Sequence, residues 1–273
     1  MKYRLLTLIT PCFILLGFVL LCGADDKKLM EELTNEQKVR LAIPQNVQKP
    51  KSARKLLVFS VTRGYRHGSI EIGKTAFRLL GESTGAYDAV ISDDLANFEK
   101  GEIEKFDAIC FLNTTLEVFR PSAKDLIGKS SSELAEVDRR EVRLKSNLLN
   151  FVKSGGGFVG IHAATDTFYE WGDYGDMLGA YFNGHPWLWR TDVSIKADSK
   201  AIENPIVSAL GTGSLDFKEE IYQFKEPYDS KELNILLRLD TERSDMNVRG
   251  IKRDDGDFGI SWTKSYGKGR VFY

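Results

Sequence analysis

Short apolar runs separated by helical patterns make up the first half of this chain. A continuous apolar run is typical of a strand covered on both faces. Segments with apolar residues at helical spacing lie between the runs, at residues 69–82 and 131–154. This alternation predicts a parallel sheet with crossover helices. The predicted strands are residues 56–61, 87–92, 107–113 and 157–162.

Beyond residue 190 the pattern changes to short strands with little helix between them. Such strands are typical of antiparallel pairing, which needs no crossover connection. The sequence therefore predicts an α/β fold with a mostly parallel sheet, helices on both faces and an antiparallel extension. The strands of the extension are predicted at residues 192–197, 217–224, 233–239, 258–264 and 269–273.

The first 24 residues have the pattern of a secretory signal peptide. Lys2 and Arg4 precede an uncharged apolar stretch, residues 5–21, which ends in small residues between Cys22 and Ala24. We expect export to the periplasm or the cell exterior, with cleavage after Ala24. The alternatives are that Cys22 is lipidated or that the segment is kept as a membrane anchor. We expect membrane contact only through this segment.

Residues 25–54 connect the signal segment to the folded domain. An amphipathic pattern over residues 26–41 predicts a short lead-in helix, and the two prolines of residues 44–54 predict a tether. The domain is expected to span residues 55–273, a length that suits a single core. Its last predicted strand reaches Tyr273 without a turn or a polar tail, so we expect a truncated sequence.

Charge and cysteine content exclude two classes of protein. The chain has 38 Lys and Arg side chains, 39 Asp and Glu side chains, and three cysteines. Nucleic-acid binding needs clustered basic residues, and since none occurs we expect no nucleic-acid partner. Removal of residues 1–24 would leave only Cys110, which excludes an intrachain disulfide. Its position inside a predicted strand indicates a core residue.

All three histidines lie within two residues of a glycine, at predicted loop positions. His67 follows the first predicted strand, His162 ends the fourth, and His185 lies in an Asn-Gly-His-Pro-Trp turn. Ligands of open α/β sheets bind beyond the carboxyl ends of the strands. We therefore expect His67 and His162 to converge if their strands are neighbours, and His185 to join a shared site.

A histidine site of this kind suits either a metal or a proton transfer. Imidazole nitrogens bind zinc and similar divalent metals, which makes His67, His162 and His185 candidate ligands, although their spacing matches no zinc motif. Without a metal, one histidine could act as general acid or base near neutral pH. Glu220 and Asp166 are candidate catalytic proton carriers, and Glu220 could add an oxygen ligand.

Residues 160–164, Gly-Ile-His-Ala-Ala, are similar to a nucleophile elbow with histidine at the nucleophile position. An elbow serine or cysteine attacks carbonyl groups, and His162 cannot simply replace it. The sequence therefore disfavours acyl transfer through a serine or cysteine.

Aromatic and charged residues flank the histidines along the sequence. Aromatic rings stack on the C–H faces of sugars while polar groups fix the hydroxyls, so we expect a small-molecule sugar as the partner. The alternative is that the aromatic residues close the edge of the sheet. The candidate substrate-binding residues are Arg63, Tyr65, Arg66, Trp171 and Trp187.

Four segments together resemble the ThuA-like (trehalose utilisation) family. They are Arg-Gly-Tyr-Arg-His at 63–67, Phe-Leu-Asn-Thr-Thr at 111–115, the glycine-rich block at 155–166 and Phe-Gly-Ile-Ser-Trp at 258–262. The resemblance covers about residues 55–273. It implies a flavodoxin-like three-layer fold of the class I glutamine-amidotransferase-like type, with His162 at the amidotransferase cysteine position. It also implies a link to disaccharide or keto-sugar metabolism.

The combined hypothesis is an exported sugar hydrolase or isomerase with a histidine-lined site that could hold a divalent metal such as zinc. A non-catalytic sugar-binding module is the alternative. A cysteine-dependent amidotransferase is excluded by His162. Members of the resembled family continue into a Leu-Gly-His segment, which agrees with the expected truncation after Tyr273.

Overall fold

The structure, a computed structural model, describes residues 33–44, 47 and 49–273, and the predicted signal segment lies outside them. The chain divides into two units, residues 1–44 and 45–273. The first contains helix α1 (Asn35–Ala42). Thr34 caps it, because its hydroxyl accepts from the Gln37 N–H while the Gln37 side chain accepts from the Thr34 N–H. The described part of the predicted lead-in helix is therefore helical from Asn35.

The second unit alternates strands and helices and then becomes strand-rich, as the apolar pattern predicts. Its elements are β1 (Lys55–Phe59), α2 (Ile70–Thr84), β2 (Asp88–Ile91), β3 (Ala108–Leu112), α3 (Ala123–Leu126), α4 (Ser131–Lys153), β4 (Gly157–Ile161), α5 (Gly172–Leu178), β5 (Tyr181–Phe182), β6 (Asp192–Ala197), β7 (Ser214–Lys218), β8 (Phe224–Lys225), β9 (Asn234–Leu239), β10 (Gly259–Tyr266) and β11 (Gly269–Phe272).

Nine strands form one sheet in the order β2-β1-β3-β4-β11-β10-β9-β6-β7. The pairs from β2 to β11 are parallel, and those from β11 to β7 are antiparallel. Strands β5 and β8 pair separately. The α/β fold with a parallel centre and an antiparallel extension is confirmed.

Side-chain alternation along the central strands produces three layers. On β1, Leu56 and Val58 join a cluster with Phe77 of α2 on one face of the sheet. Leu57 and Phe59 point to the other face, where the main core includes side chains of α4 and α5. Successive side chains of a strand point to opposite faces, so a fully apolar strand needs helices on both sides.

One predicted strand, residues 217–224, is wrong. The sheet strand β7 ends at Lys218, and residues 219–223 leave the ladder to bond with the loop at residues 184–191. Glu219, Ile221 and Gln223 donate their N–H groups to carbonyl oxygens of that loop. The segment is extended, as its alternating pattern indicates, but its partner is a loop. Among the described residues, no helix has the length and apolarity to cross a membrane.

Candidate functional site

The candidate site lies beyond the carboxyl ends of β1, β3 and β4. The chain runs from β1 through α2 to β2 on one side of β1, and β3 then pairs on the other side. Such a reversal of strand order opens a crevice where α/β proteins bind ligands. The loops after β1 and β3 therefore diverge at the position where the site forms.

His67 reaches the site through the loop that follows β1. Strand β3 lies between β1 and β4, so the strands that carry His67 and His162 are not neighbours. The loop crosses the end of β3, where Thr62 bridges to Thr115 and the Arg63 N–H donates to the Thr115 carbonyl at 2.9 Å. The imidazole centroids of His67 and His162 consequently lie 4.7 Å apart, with the rings at 82°.

His162 stands at a sharp turn between β4 and a short 3₁₀ helix, His162–Asp166. Its φ is 50°, a left-handed conformation that is uncommon outside glycine. The Tyr273 hydroxyl donates to its carbonyl oxygen at 2.8 Å and the Thr165 hydroxyl at 3.2 Å. The order of strand, sharp turn and helix is the elbow geometry that the sequence predicts.

Glu220 enters from the antiparallel side of the molecule. The bonded loop at residues 184–191 holds the segment that carries it, and one Glu220 carboxylate oxygen lies 3.3 Å from His162 Nε2. The side chain of Glu219 is used differently, because its carboxylate accepts the Glu220 N–H at 2.9 Å. Of this acidic pair, Glu220 therefore faces the histidines.

Tyr222 packs against both histidines. Its ring centroid lies 4.1 Å from that of His162, and its hydroxyl oxygen lies 3.4 Å from His67 Nε2. Burial, followed by the negative charge of Glu220, raises the pKa of Tyr222 above its ordinary value. The phenol therefore stays protonated and closes one side of the site.

Three side chains offer metal-ligand atoms that lie within 4.8 Å of one another: His67, His162 and Glu220. His185 is outside this group among the described residues. Its ring stacks on Phe182, with centroids 5.8 Å apart, and lies 6.1 Å from the Tyr222 ring. The structure thus brings two of the three histidines together with the carboxylate and places the third behind Tyr222.

The net effect of burial and of the charges of the cluster is to lower the pKa values of both His67 and Glu220. Burial lowers the pKa of His67, and the neighbouring His162 adds to that effect, while Glu220 opposes it. Burial works to raise the pKa of Glu220, but the contact with His162 and the charges of the other histidines outweigh it, so the pKa is lowered. A neutral His67 has a free lone pair on one ring nitrogen, and an ionised Glu220 has free lone pairs on its oxygens. Both side chains can therefore act as metal ligands.

Atom His67 Nδ1 is buried and has no hydrogen-bond partner among the described residues. Buried polar atoms are normally paired, so an orphaned imidazole nitrogen indicates a missing ligand or water. Two imidazoles and a carboxylate are a donor set that zinc and similar divalent ions accept. The residues present therefore fit a divalent cation.

A cleft of about 440 Å³ opens beside the cluster, between α2 and the ends of β3 and β4. Small-molecule sites generally have volumes of about 300 to 1,000 Å³. His162 and Glu220 also line a smaller cavity of about 240 Å³ that reaches Tyr273. The first cleft is lined by Ser69, Ile72, Gly73, Ala76, Leu112, Asn113, Ile161, His162, Glu219 and Glu220.

The predicted substrate-binding residues of the loop after β1 differ in their surroundings, since two are exposed to solvent and one bonds to the protein backbone. Tyr65 is 72% exposed and meets the His67 ring edge-on, with centroids 4.8 Å apart. Arg66 pairs with Glu71 on the surface, whereas Arg63 donates to the Arg120 carbonyl. Tyr65 is thus the member of this group that borders the cluster directly.

The other predicted residues lie in packed surroundings. Trp187 is completely buried, and its indole N–H donates to the Asp245 carbonyl at 2.8 Å. Trp171 packs edge-on against Phe168. Asp166 accepts a hydrogen bond from Tyr169, and burial raises its pKa, against the effects of that bond and of His162. Sugar contact by the tryptophans and proton transfer by Asp166 stay predictions.

Asn113, Tyr222 and Tyr273 are site residues that the sequence analysis did not select. Asn113 ends a buried strand, at the same relative position as His162, and this placement was the available signal. Tyr222 follows Glu220 at a spacing of two, which puts both on one face of an extended segment. Tyr273 ends the last strand and gave no comparable signal.

Comparison with known proteins identifies the family of the chain. Residues 55–273 match the family described as "Trehalose utilisation", ThuA. The chain belongs to the ThuA family. Comparison with curated proteins gave no significant match.

Solved structures of ThuA-like proteins share the fold. A ThuA-like protein from Bacteroides uniformis is 19% identical, with a TM-score of 0.57, over 84% of this chain and 85% of that chain. A ThuA-like protein from Parabacteroides merdae is 17% identical, with a TM-score of 0.52, over 81% of this chain and 78% of that chain. At these identities the likeness extends to the fold of the ThuA domain.

Proposed function

We propose that this ThuA protein is a sugar-directed hydrolase or isomerase whose active site is formed by His67, His162 and Glu220. The observation that carries the proposal is that ligand atoms of these three side chains lie within 4.8 Å of one another, beside a cleft of about 440 Å³. The family's description as trehalose utilisation supports a sugar as the substrate. The signal-like residues 1–24 support export.

His67, His162 and Glu220 would hold a divalent cation such as zinc. A cation there would polarise a sugar oxygen or lower the pKa of a water molecule. Side chains of the protein itself would transfer the proton, exclude solvent and fix the turn at His162. Asp166, the other candidate proton carrier, interacts electrostatically with His162 and has a pKa raised by burial; it accepts a proton from a sugar hydroxyl or from water. Tyr222 excludes solvent from the far side of the His162 ring. The Tyr273 hydroxyl fixes the turn at His162.

The test uses the full chain and measures metal and reaction separately. Elemental analysis after exposure to zinc should give a bound ion in the wild type and in His185→Ala, and a large loss in His162→Ala. His185 is the matched control, because it is the histidine outside the group of three. No ion in the wild type would overturn the cation, and loss of the ion in His185→Ala would restore His185 as a ligand.

The reaction is followed by NMR with trehalose, sucrose and their 3-keto forms as probes. A new anomeric or carbonyl signal that His162→Ala does not produce would support an enzyme. Binding without any product across this panel would favour the non-catalytic sugar-binding module. The absence of both binding and product would overturn the assignment to sugars.

A further inference from the structure

The cleft beside the cluster contains a buried amide with an unused acceptor. Asn113 is 3% exposed and lines the cleft, and its Oδ1 atom is buried without a hydrogen-bond partner among the described residues. A buried amide oxygen that gives up water without a replacement bond is destabilising. An unpaired amide oxygen at the switch point of the sheet therefore indicates a bond made to something other than the protein.

The other half of the amide is fixed in place. Asn113 Nδ2 donates to Ser69 Oγ at 2.9 Å. Ser69 precedes α2 at the N-cap position, where a serine usually caps the first turn, but here it makes no side-chain capping bond. The serine hydroxyl instead accepts the hydrogen bond from the Asn113 amide. Ser69 thus orients this amide and leaves the first turn of the helix without a side-chain cap. Broken local rules of this kind concentrate at functional sites.

The backbone of Asn113 is also held in an uncommon conformation. Its φ is 51°, and its N–H donates to the Ile161 carbonyl at 3.2 Å. Asparagine adopts this left-handed region more readily than most residues, and glycine adopts it without strain. The strand end therefore presents the amide next to His162.

The cleft combines an apolar wall with hydrogen-bond acceptors. Ile72, Ala76, Leu112 and Ile161 supply the wall, and Glu219 and Glu220 supply carboxylates. Glu219 lies outside the group that would hold the cation, so its carboxylate would still repel an anionic ligand, whereas hydroxyl groups can donate to it and to an amide oxygen. The ligand that matches is uncharged, with an apolar ring face and several hydroxyl donors.

We propose that Asn113 determines specificity by accepting a hydrogen bond, through Oδ1, from a hydroxyl group of a neutral sugar ring in this cleft. This inference rests on the proposed function, since it names a contact within the same site. It adds that neutral sugars are preferred over their phosphates.

The test measures the affinity of the full chain for trehalose by calorimetry. Asn113→Gly removes the amide while keeping the left-handed backbone available, so the variant is expected to fold. We expect it to bind trehalose about 10-fold more weakly than the wild type. The matched control is Asn147→Ala in α4, which loses an equivalent bond to the Phe98 carbonyl and should bind trehalose as the wild type does.

Monodeoxy trehalose analogues identify the contact. The analogue that lacks the contacted hydroxyl should bind wild type and Asn113→Gly equally, because the wild type has then lost the same bond. Equal binding of trehalose by wild type and Asn113→Gly would overturn this inference while the proposed function stands. Tighter binding of trehalose 6-phosphate than of trehalose would overturn the preference for neutral sugars. Failure of the wild type to bind any sugar of the panel would overturn the proposed function and this inference together.

Discussion

Asn113 and His162 occupy equivalent positions at the carboxyl ends of adjacent parallel strands, and both have left-handed backbone conformations. The register of β3 on β4 pairs Leu112 with Ile161, so the next residues are opposite each other, with φ values of 51° and 50°. Two sharp turns side by side lift one amide and one imidazole out of the sheet. The site is therefore built from strand ends that the core holds rigidly.

The left-handed turn at His162 predicts an order of stability between two variants that both remove the imidazole. His162→Gly should be more stable to urea than His162→Ala by about 1 kcal/mol, because glycine adopts a positive φ without the clash of a Cβ atom. Both variants should lose the metal equally. An alanine variant as stable as the glycine variant would show that the turn relaxes.

The neighbouring residues Glu219 and Glu220 are expected to differ in their contribution to metal binding. Glu220→Gln should weaken zinc affinity by roughly 100-fold, because an amide oxygen replaces an ionised oxygen that lies 3.3 Å from His162 Nε2. Glu219→Gln is the matched control, since the Glu219 carboxylate accepts a backbone N–H instead. Competition titration with a chromophoric chelator measures both. A similar loss in the two variants would argue against a specific role for Glu220.

Much of the fold follows from the apolar pattern, whereas the site depends on the order of the strands. The sequence places His67 and His162 at strand ends, but it contains no sign that β3 lies between their strands or that the loop crosses it. The sequence offers Glu220 as an oxygen ligand or a base, but it does not show that the segment carrying Glu220 leaves the sheet ladder and reaches the histidines. His185, like the other histidines, has a glycine within two residues, yet its ring stacks on Phe182 and Tyr222 and lies outside the group of three.

The exposed fraction of a side chain can also differ greatly between two residues of the same type that lie close together in the sequence. Trp187 and Trp189 are two positions apart, yet Trp187 is completely buried and Trp189 is 62% exposed. On a regular strand residues two apart face the same side, but Trp189 lies in a turn, so the alternating pattern does not tell which of the two rings is buried. That choice is made by Phe258, which packs edge-on against Trp187 from a distant part of the chain.

Gly269 predicts how strongly the packing between the amino end of β11 and the end of α4, at the opposite end of β4 from the site, resists an added methyl group. A Cβ atom there would overlap the backbone oxygens of Val152 and Gly156, which cannot rotate away. Gly269→Ala should therefore lower the free energy of unfolding by about 2 to 3 kcal/mol. Gly213→Ala is the control, because nothing lies within 4 Å of its Cβ position, and it should stay within about 0.5 kcal/mol of the wild type. Equal free energies of unfolding for the two variants, measured in urea, would show that the structure around Gly269 adjusts to the added methyl group.

The charges around Glu141 predict a pH dependence of stability. Burial works to raise the pKa of Glu141, but hydrogen bonds from Lys145 at 2.6 Å and Arg120 at 2.5 Å outweigh it and lower the pKa. A carboxyl group whose pKa is lower in the folded state stabilises the protein above its unfolded pKa of 4.5, and this contribution is lost as the pH falls through the folded value.

Replacement of Glu141 should therefore act in a pH-dependent way. Glu141→Gln should cost about 1 to 3 kcal/mol at pH 7, and the difference from the wild type should shrink as the pH falls below 4.5, because the protonated wild-type carboxyl has lost its ionic bonds. Urea unfolding at pH 7, 5 and 3.5 measures this, with exposed Glu203→Gln as the control. A difference that stayed constant over this range would mean that Glu141 stabilises α4 by packing, since only the ionised carboxylate distinguishes pH 7 from pH 3.5.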